Sequence, residues 1–307
     1  MNPQSSFTPQ FPTGATWRTA LTALVLVAVS VPFATFASSD IDEVRALAAD
    51  GHVLVENSFG EIDVQGWDRE EVRISGYLSD DVKELEIRES GNGIRIRVDY
   101  YDRRTIDGAQ LEITMPKGAS LEADSVSGDI EAAGLEGESI DLRTVSGDLD
   151  VAASPQRLTL NTVSGDIEFA GTTNRVDVES VSGEIDLTGV SGEIEATTVS
   201  GDVTVSGGSL RSGEFEAVSG DVELDVGLES GGRIKVSSMS GDIDLYLPRG
   251  QQAEFFAQTF SGDIDTAFGS AKNSSRGPGS QLEHTEGGGG ATINLNSFSG
   301  DVSIYER

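Results

Sequence analysis

The sequence predicts an all-β fold, a parallel β-solenoid with two strands per coil of about 18–21 residues, on three observations. The first is a Ser-Gly-acid triplet after Val, Met or Phe that starts at Ser127, Ser146, Ser164, Ser182, Ser191, Ser200, Ser219, Ser240, Ser261 and Ser299. With Ser191 set aside, the steps are 19, 18, 18, 18, 19, 21, 21 and 38 residues. A fixed period of this size marks a repeat array whose units bury their apolar faces only by stacking. Ser191 lies nine residues from both Ser182 and Ser200, which makes the unit two half-units. The second observation is period-two alternation on either side of each triplet, as in Leu158, Leu160, Thr162 and then Ile167, Phe169, the pattern of a strand with one buried face. The third is the chemistry of the triplet itself. Glycine permits a sharp corner, and the acid accepts hydrogen bonds from turn N–H groups.

Stacking places equivalent residues in rows. One inward row reads Ser125, Thr144, Thr162, Ser180, Thr198, Ala217, Ser238, Thr259, Ser297 and is small and mostly hydroxyl. The next reads Val126, Val145, Val163, Val181, Val199, Val218, Met239, Phe260, Phe298, an apolar row widening toward the C-terminus. A third, opening each first strand, sets Arg175 beside Glu193 and Arg233 beside Glu254, with Arg157 and Arg175 as like neighbours.

In chain order, residues 1–37 carry one charge, Arg18, and an apolar run from Ala20 to Ala37 ending in Thr35-Phe36-Ala37. This reads as a secretory signal peptide, cleaved before Ser38; an uncleaved anchor is the competing reading, weakened by a short span and by Pro32. Residues 38–120 lack the triplet but keep alternating over His52–Val55, Glu61–Val64, Val72–Tyr77, Leu85–Glu89, Ile94–Tyr100 and Leu111–Met115, with a hairpin turn over Glu89–Gly93. Asn57-Ser58-Phe59-Gly60-Glu61-Ile62 is a shortened copy of the corner. The segment is expected to cap the N-terminal end of the array, since a bare sheet edge invites aggregation. Repeats fill 121–307, and 269–290, polar and Gly/Ser-rich, is expected to be a flexible insertion within one coil.

Composition narrows the function. There are 52 acidic and 21 basic residues, a net charge of −31, so a nucleic-acid partner is disfavoured for want of a basic footprint. Cysteine is absent, so neither disulfides nor a lipid-bearing cysteine are available. No second hydrophobic span follows the leader, which predicts a mature chain without a membrane span, in the periplasm or at the surface of a bacterium.

Repeated Val-Ser-Gly-Asp-Ile phrases behind a leader and an irregular β segment resemble a bacterial β-strand-repeat family labelled "putative adhesin", a domain family of unknown function, over most of residues 50–305. The resemblance implies an exported or membrane-tethered β-solenoid with no established catalytic residues. Some relatives are membrane-anchored and associated with envelope-stress signalling.

Candidate chemistry centres on the corner acids, Asp129 to Asp301. Stacked carboxylates repel, by roughly 1 kcal/mol per neighbouring pair in water, which makes calcium a possible counterion with Asp148, Asp166, Asp202 and Asp221 as ligands. The preferred reading is corner capping, because Glu at 184 and 193 breaks any fixed ligand geometry and no calcium-roll nonapeptide is present. On that reading the chain carries no cofactor. A polysaccharide-acting β-helix enzyme is the rival from another class. No carboxylate pair stands out as acid and base, His52 and His284 read as surface residues, and the triplet serine recurs too often to be a nucleophile. The expected function is a non-catalytic envelope solenoid, an adhesin-like binding or scaffold module whose partner is an envelope or surface protein or a glycan.

Overall fold

The computed structural model describes residues 39–101, 107–273 and 278–307; the leader expected over 1–37 lies outside them. Every regular element among the described residues is a β-strand, and the strands join one 24-stranded, mostly parallel sheet. No helix among them is long and apolar enough to cross a membrane.

The chain opens with β1 (Ser39–Ala46), β2 (His52–Trp67), β3 (Glu71–Leu78), β4 (Val82–Ser90), β5 (Gly93–Tyr100) and β6 (Ala109–Pro116). Strand β2 already behaves as a repeat. Its first half pairs in parallel with β7 (Ser120–Ser127), matching Asn57 to Ser125 and Phe59 to Ser127, and its second half pairs with β8 (Ile130–Ala133). The shortened corner at Asn57–Ile62 is therefore in register with the full ones, and hydrogen bonding runs past residue 120 without a break. On its other side β2 pairs with β5 and β6, and those two are finished by antiparallel partners, β4 on β5 and β3 on β6, with β1 outermost. The Glu89–Gly93 turn joins β4 to β5 as expected, with Ser90 opposite Gly93. Strand β1 was not among the expected strands. Its charged sequence, SDIDEVRA, suits an outer edge, where side-chain charge deters further pairing.

From β7 on, alternate strands of successive units build two parallel ladders joined at the triplet corners. One ladder runs β7, β9 (Ser139–Arg143), β11 (Arg157–Ser164), β13 (Arg175–Ser182), β15 (Gly192–Ser200). The other runs β8, β10 (Leu149–Ala153), β12 (Ile167–Gly171), β14 (Ile185–Thr188). Both continue into β16 (Val203–Ser219) and β17 (Val222–Ser240), each long enough to pass through both ladders. Thr162, Ser180 and Thr198 are successive parallel partners, as the period requires. Alternation decides what is buried: along β13, Val176, Val178 and Ser180 point in, whereas Asp177, Glu179 and Val181 point out. The inward residues of both ladders merge into one core cluster, with Phe169 and Phe215 fully enclosed.

Three expectations need correction. The triplet at Ser191 is not a half-unit corner of the same kind: Val190 is fully buried, and Gly192 opens β15 at the opposite turn of its unit. The C-terminal units do not stack in sequence order. After β18 (Ile243–Leu247), the chain forms β19 (Ala253–Ser261) and β20 (Ile264–Thr266) at the far end, then returns as β23 (Ala291–Ser299) and β24 (Val302–Glu306). Strand β23 pairs with β17 on one side and β19 on the other, and β24 lies likewise between β18 and β20. Thr292 thus stands between Arg233 and Glu254, which do not adjoin, whereas Arg175 and Glu193 do, at 3.5 Å.

The third correction concerns residues 269–290, expected to be a flexible insertion. They contain β21 (Lys272–Asn273) and β22 (Ser280–Thr285), and β22 lies antiparallel on β19. Leu282 is buried there, and Phe268 just before it stacks on Phe255 at 4.6 Å. One apolar residue in the right register, with a vacant strand edge beside it, orders a segment that composition marks as a loop. Because β22 occupies the outer edge of β19, the last unit pairs on the inner side instead.

Candidate functional site

Two rows of side chains follow the corners along the array, one acidic and one apolar. Each corner turns at a glycine that has no room for a side chain. Gly183 adopts φ of 146°, and a Cβ there would lie 2.0 Å from the Gly165 carbonyl oxygen. The close stacking brings the next residue, the acid, over its counterpart in the neighbouring unit. Asp148 donates its backbone N–H to Asp129 Oδ1 at 2.9 Å, Asp166 to Asp148 at 2.8 Å, and Glu184 to Asp166 at 2.8 Å. The series resumes from Asp221 onto Asp202 and Asp242 onto Asp221, then Asp301 onto Asp242 and Asp263 onto Asp301. The acids cap corners, and the amide they accept from belongs to the next unit rather than their own. The rung skipped is Glu184 to Asp202, where the longer side chain takes up no such bond.

The calcium candidates Asp148, Asp166, Asp202 and Asp221 therefore stand in one row, each with an oxygen engaged by a neighbouring amide. Among the described residues, no three of His, Asp and Glu converge as a metal cage. His52 lies 3.7 Å from Glu122 near the N-terminal end, and His284 lies 3.0 Å from Glu286 on the C-terminal edge, so the structure does not bring the histidines together.

At the N-terminal end a cleft of about 310 Å³ is lined by Glu56, Asn57, Arg97, Asp99, Tyr100 and Asp124 among others. The Tyr100 hydroxyl lies 2.5 Å from Asn57 Oδ1 and 2.6 Å from the Phe59 carbonyl, with one hydrogen to donate between them, and accepts from Ala109 N. Burial pushes its pKa up to about 12, against the pull of those backbone bonds, so it serves as a plug for the first corner. The carboxylates around it are paired: Glu56 with Arg95 at 2.6 Å, Asp99 with Arg97 at 3.0 Å, Asp124 with Arg143 at 3.7 Å. Burial raises the pKa of Asp124 and of Asp141, and Arg143 opposes it in both.

The apolar row is the feature whose meaning the sequence did not yield. Val126, Val145, Val163, Val181, Val199, Val218, Met239, Phe298 and Phe260, in spatial order, are all 44–60% exposed. Flanking partners such as Thr162 with Ser180 and Ser164 with Ser182 keep them in register from unit to unit. Phe298 and Phe260 stack at 5.0 Å with ring planes 6° apart. Parity held the signal, since each of these residues follows a buried small residue, a hydroxyl everywhere but at Ala217, and must face outward.

Among curated proteins none matches the chain. Solved structures are similar to it at low identity. One from Bacteroides fragilis, described as a "putative adhesin", is 15% identical, with 88% of this chain and 97% of that one covered and a TM-score of 0.45. Another of the same description, from Parabacteroides distasonis, is 12% identical with the same coverages and a TM-score of 0.43. A third, a "putative lipid binding protein" from Parabacteroides distasonis, is 13% identical, with 87% and 96% covered and a TM-score of 0.32. The Toastrack DUF4097 family model matches residues 55–231 and 227–305, and with most of its length so matched the chain belongs to that family.

Proposed function

We propose that this chain is an exported, non-catalytic β-solenoid of the bacterial envelope that works as a binding or scaffold module. The observation that carries this reading is the exposed apolar row. Contiguous exposed apolar surface marks an interaction site far more often than scattered single residues do. Here the row lies on a surface held by hydrogen-bonded ladders on both sides of the corner, so a partner meets it already ordered and the ordering cost of binding falls on the partner. The paired carboxylates of the N-terminal cleft favour binding over catalysis, because a general acid and base need separated, unpaired titrations. The leader-like segment and the absence of cysteine support export.

The test is paired. Crosslinked capture from bacterial envelope extracts, with the intact chain and with a variant carrying Val163→Thr, Val181→Thr and Val199→Thr as bait, is expected to yield a partner retained by the first and lost by the second. Incubation with acidic and neutral polysaccharides is expected to release no new reducing ends. Chain cleavage of any polysaccharide would replace the binding-module reading with the enzymatic one.

A further inference from the structure

The apolar row does not run through neutral surface. On one side stand the corner acids, from Asp129 to Asp263, with the side-chain oxygens not engaged by amides facing water. On the other side, the outward row two positions earlier reads Asp124, Arg143, Asn161, Glu179, Thr197 and Glu216 over the valine half, with Glu216 held by Lys235 at 3.2 Å and Asp124 3.7 Å from Arg143. That arginine is already held by Asp141 at 2.6 Å and Glu122 at 3.4 Å. An apolar track with a continuous anionic margin at the corners and a sparser one on its other side is complementary to an apolar seam flanked by cations. A second copy of this chain is the opposite of that, since it would set acids against acids in a molecule of net charge −31.

The spacing narrows the partner further. Neighbouring side chains of the row are about 4.8 Å apart, so the nine span about 38 Å. An extended strand laid along the row repeats its same-face side chains every ~6.7 Å and falls out of step at once. An α-helix brings an apolar seam residue round every 3.5–3.6 positions, about 5.3 Å along its axis, and offers one side chain to nearly every rung. Strand propensity accounts for valine and phenylalanine at these positions but not for Met239, the most exposed of the row at 60%. Beside Met239, Phe298 and Phe260 the flanking row turns neutral, with Ser237, Asn296 and Gln258, so apolar contact outweighs charge at that end.

We propose that the row from Val126 to Phe260, with its acidic margins, is the docking track for a basic amphipathic α-helix of a partner polypeptide. The proposal rests on the binding-module reading above and gives it a partner class. A helix of about 26 residues covers the track, and its cations face the corner acids over the valine half. Its bulk is smaller over Met239, Phe298 and Phe260, where the track itself is raised.

The experiment titrates the full chain with a synthetic helix of about 26 residues carrying leucine on a heptad seam and lysine on both flanks. Two controls are a permuted peptide of equal composition and a peptide with glutamate for lysine. The seam peptide is expected to bind at least about tenfold more tightly than either control, and less tightly as salt rises from about 50 to about 500 mM. A chain with Val163→Thr, Val181→Thr and Val199→Thr, near-isosteric changes at exposed strand positions, is expected to lose at least about tenfold in affinity with its melting temperature retained. Should the triple variant fold poorly, Val181→Thr alone is expected to lose about threefold. Equal binding of the permuted peptide, or unchanged binding by both variants, overturns the inference. So does a monomer–dimer equilibrium of the free chain that the substitutions abolish, which would assign the track to a second copy. If the helix inference falls while stripe-dependent capture from envelope extracts persists, the binding-module reading stands; loss of both would remove it as well.

Discussion

At the corner glycines, steric exclusion and hydrogen bonding act on adjacent residues. Gly183→Ala would drive a Cβ into a backbone oxygen at a positive φ, and neither atom can move without separating two stacked units. The expected loss is about 3 kcal/mol, measured by chemical denaturation. One residue further on, Glu184 interrupts the run of carboxylate-to-amide bonds. Glu184→Asp should supply the skipped bond to the Asp202 amide and stabilise the fold by about 0.5–1.5 kcal/mol. No change in stability would show that the rung is closed by water already. The same geometry bears on calcium. With one oxygen of each Asp148, Asp166, Asp202 and Asp221 carboxylate committed to an amide, calcium and magnesium are expected to raise the melting temperature alike, by screening. A saturable rise specific to calcium would instead make the row a binding site.

Strands obey their neighbours as much as their own sequence, and the C-terminal edge illustrates it. Strand β22 has only Ser280 and Leu282 buried along its length, yet it covers the outer edge of β19 over Glu254–Thr259. Deleting residues 280–285 is expected to lower the melting temperature and promote concentration-dependent association, both readable by scanning calorimetry and sedimentation. Unchanged behaviour would mean that the edge is protected by other means. Element by element, the repeats were legible because period-two alternation and the triplet fix both strand position and facing. The Thr162, Ser180, Thr198 row followed from spacing alone. Strands β1 and β22 were not legible, since an edge strand needs few apolar residues and its pairing depends on which edge is vacant. The exposed apolar row was legible as a row, and its outward facing follows from parity, but the acids three positions after it were read only as corner caps.

Across the whole array, repeats couple only to their neighbours, so stability accumulates by interfaces rather than around a single centre. The order of those interfaces follows the order of the chain from β7 through β18 and departs from it at both ends, β2 lying inside β5 and β6 at the first and β23–β24 inside β19–β20 at the last. Residues 291–306, almost the last in the chain, form β23 and β24 and supply the interface between β17–β18 and β19–β20. A conventional repeat protein loses one stacking surface when its last unit is cut away. Here a truncation after Gly290 removes two, strands two units from each other being left with nothing between them. Such a chain is expected to be cleaved by added protease within 253–290 while residues 52–247 stay protected. The same arrangement sets a direction in time. As the chain is made, the N-terminal units can close as they emerge, but the outermost unit, β19–β20, waits for residues 291–306. It also restricts how the array could lengthen: a duplicated unit fits between existing middle units, whereas one appended after Arg307 would start beside β23 and β24, which are already paired on both sides.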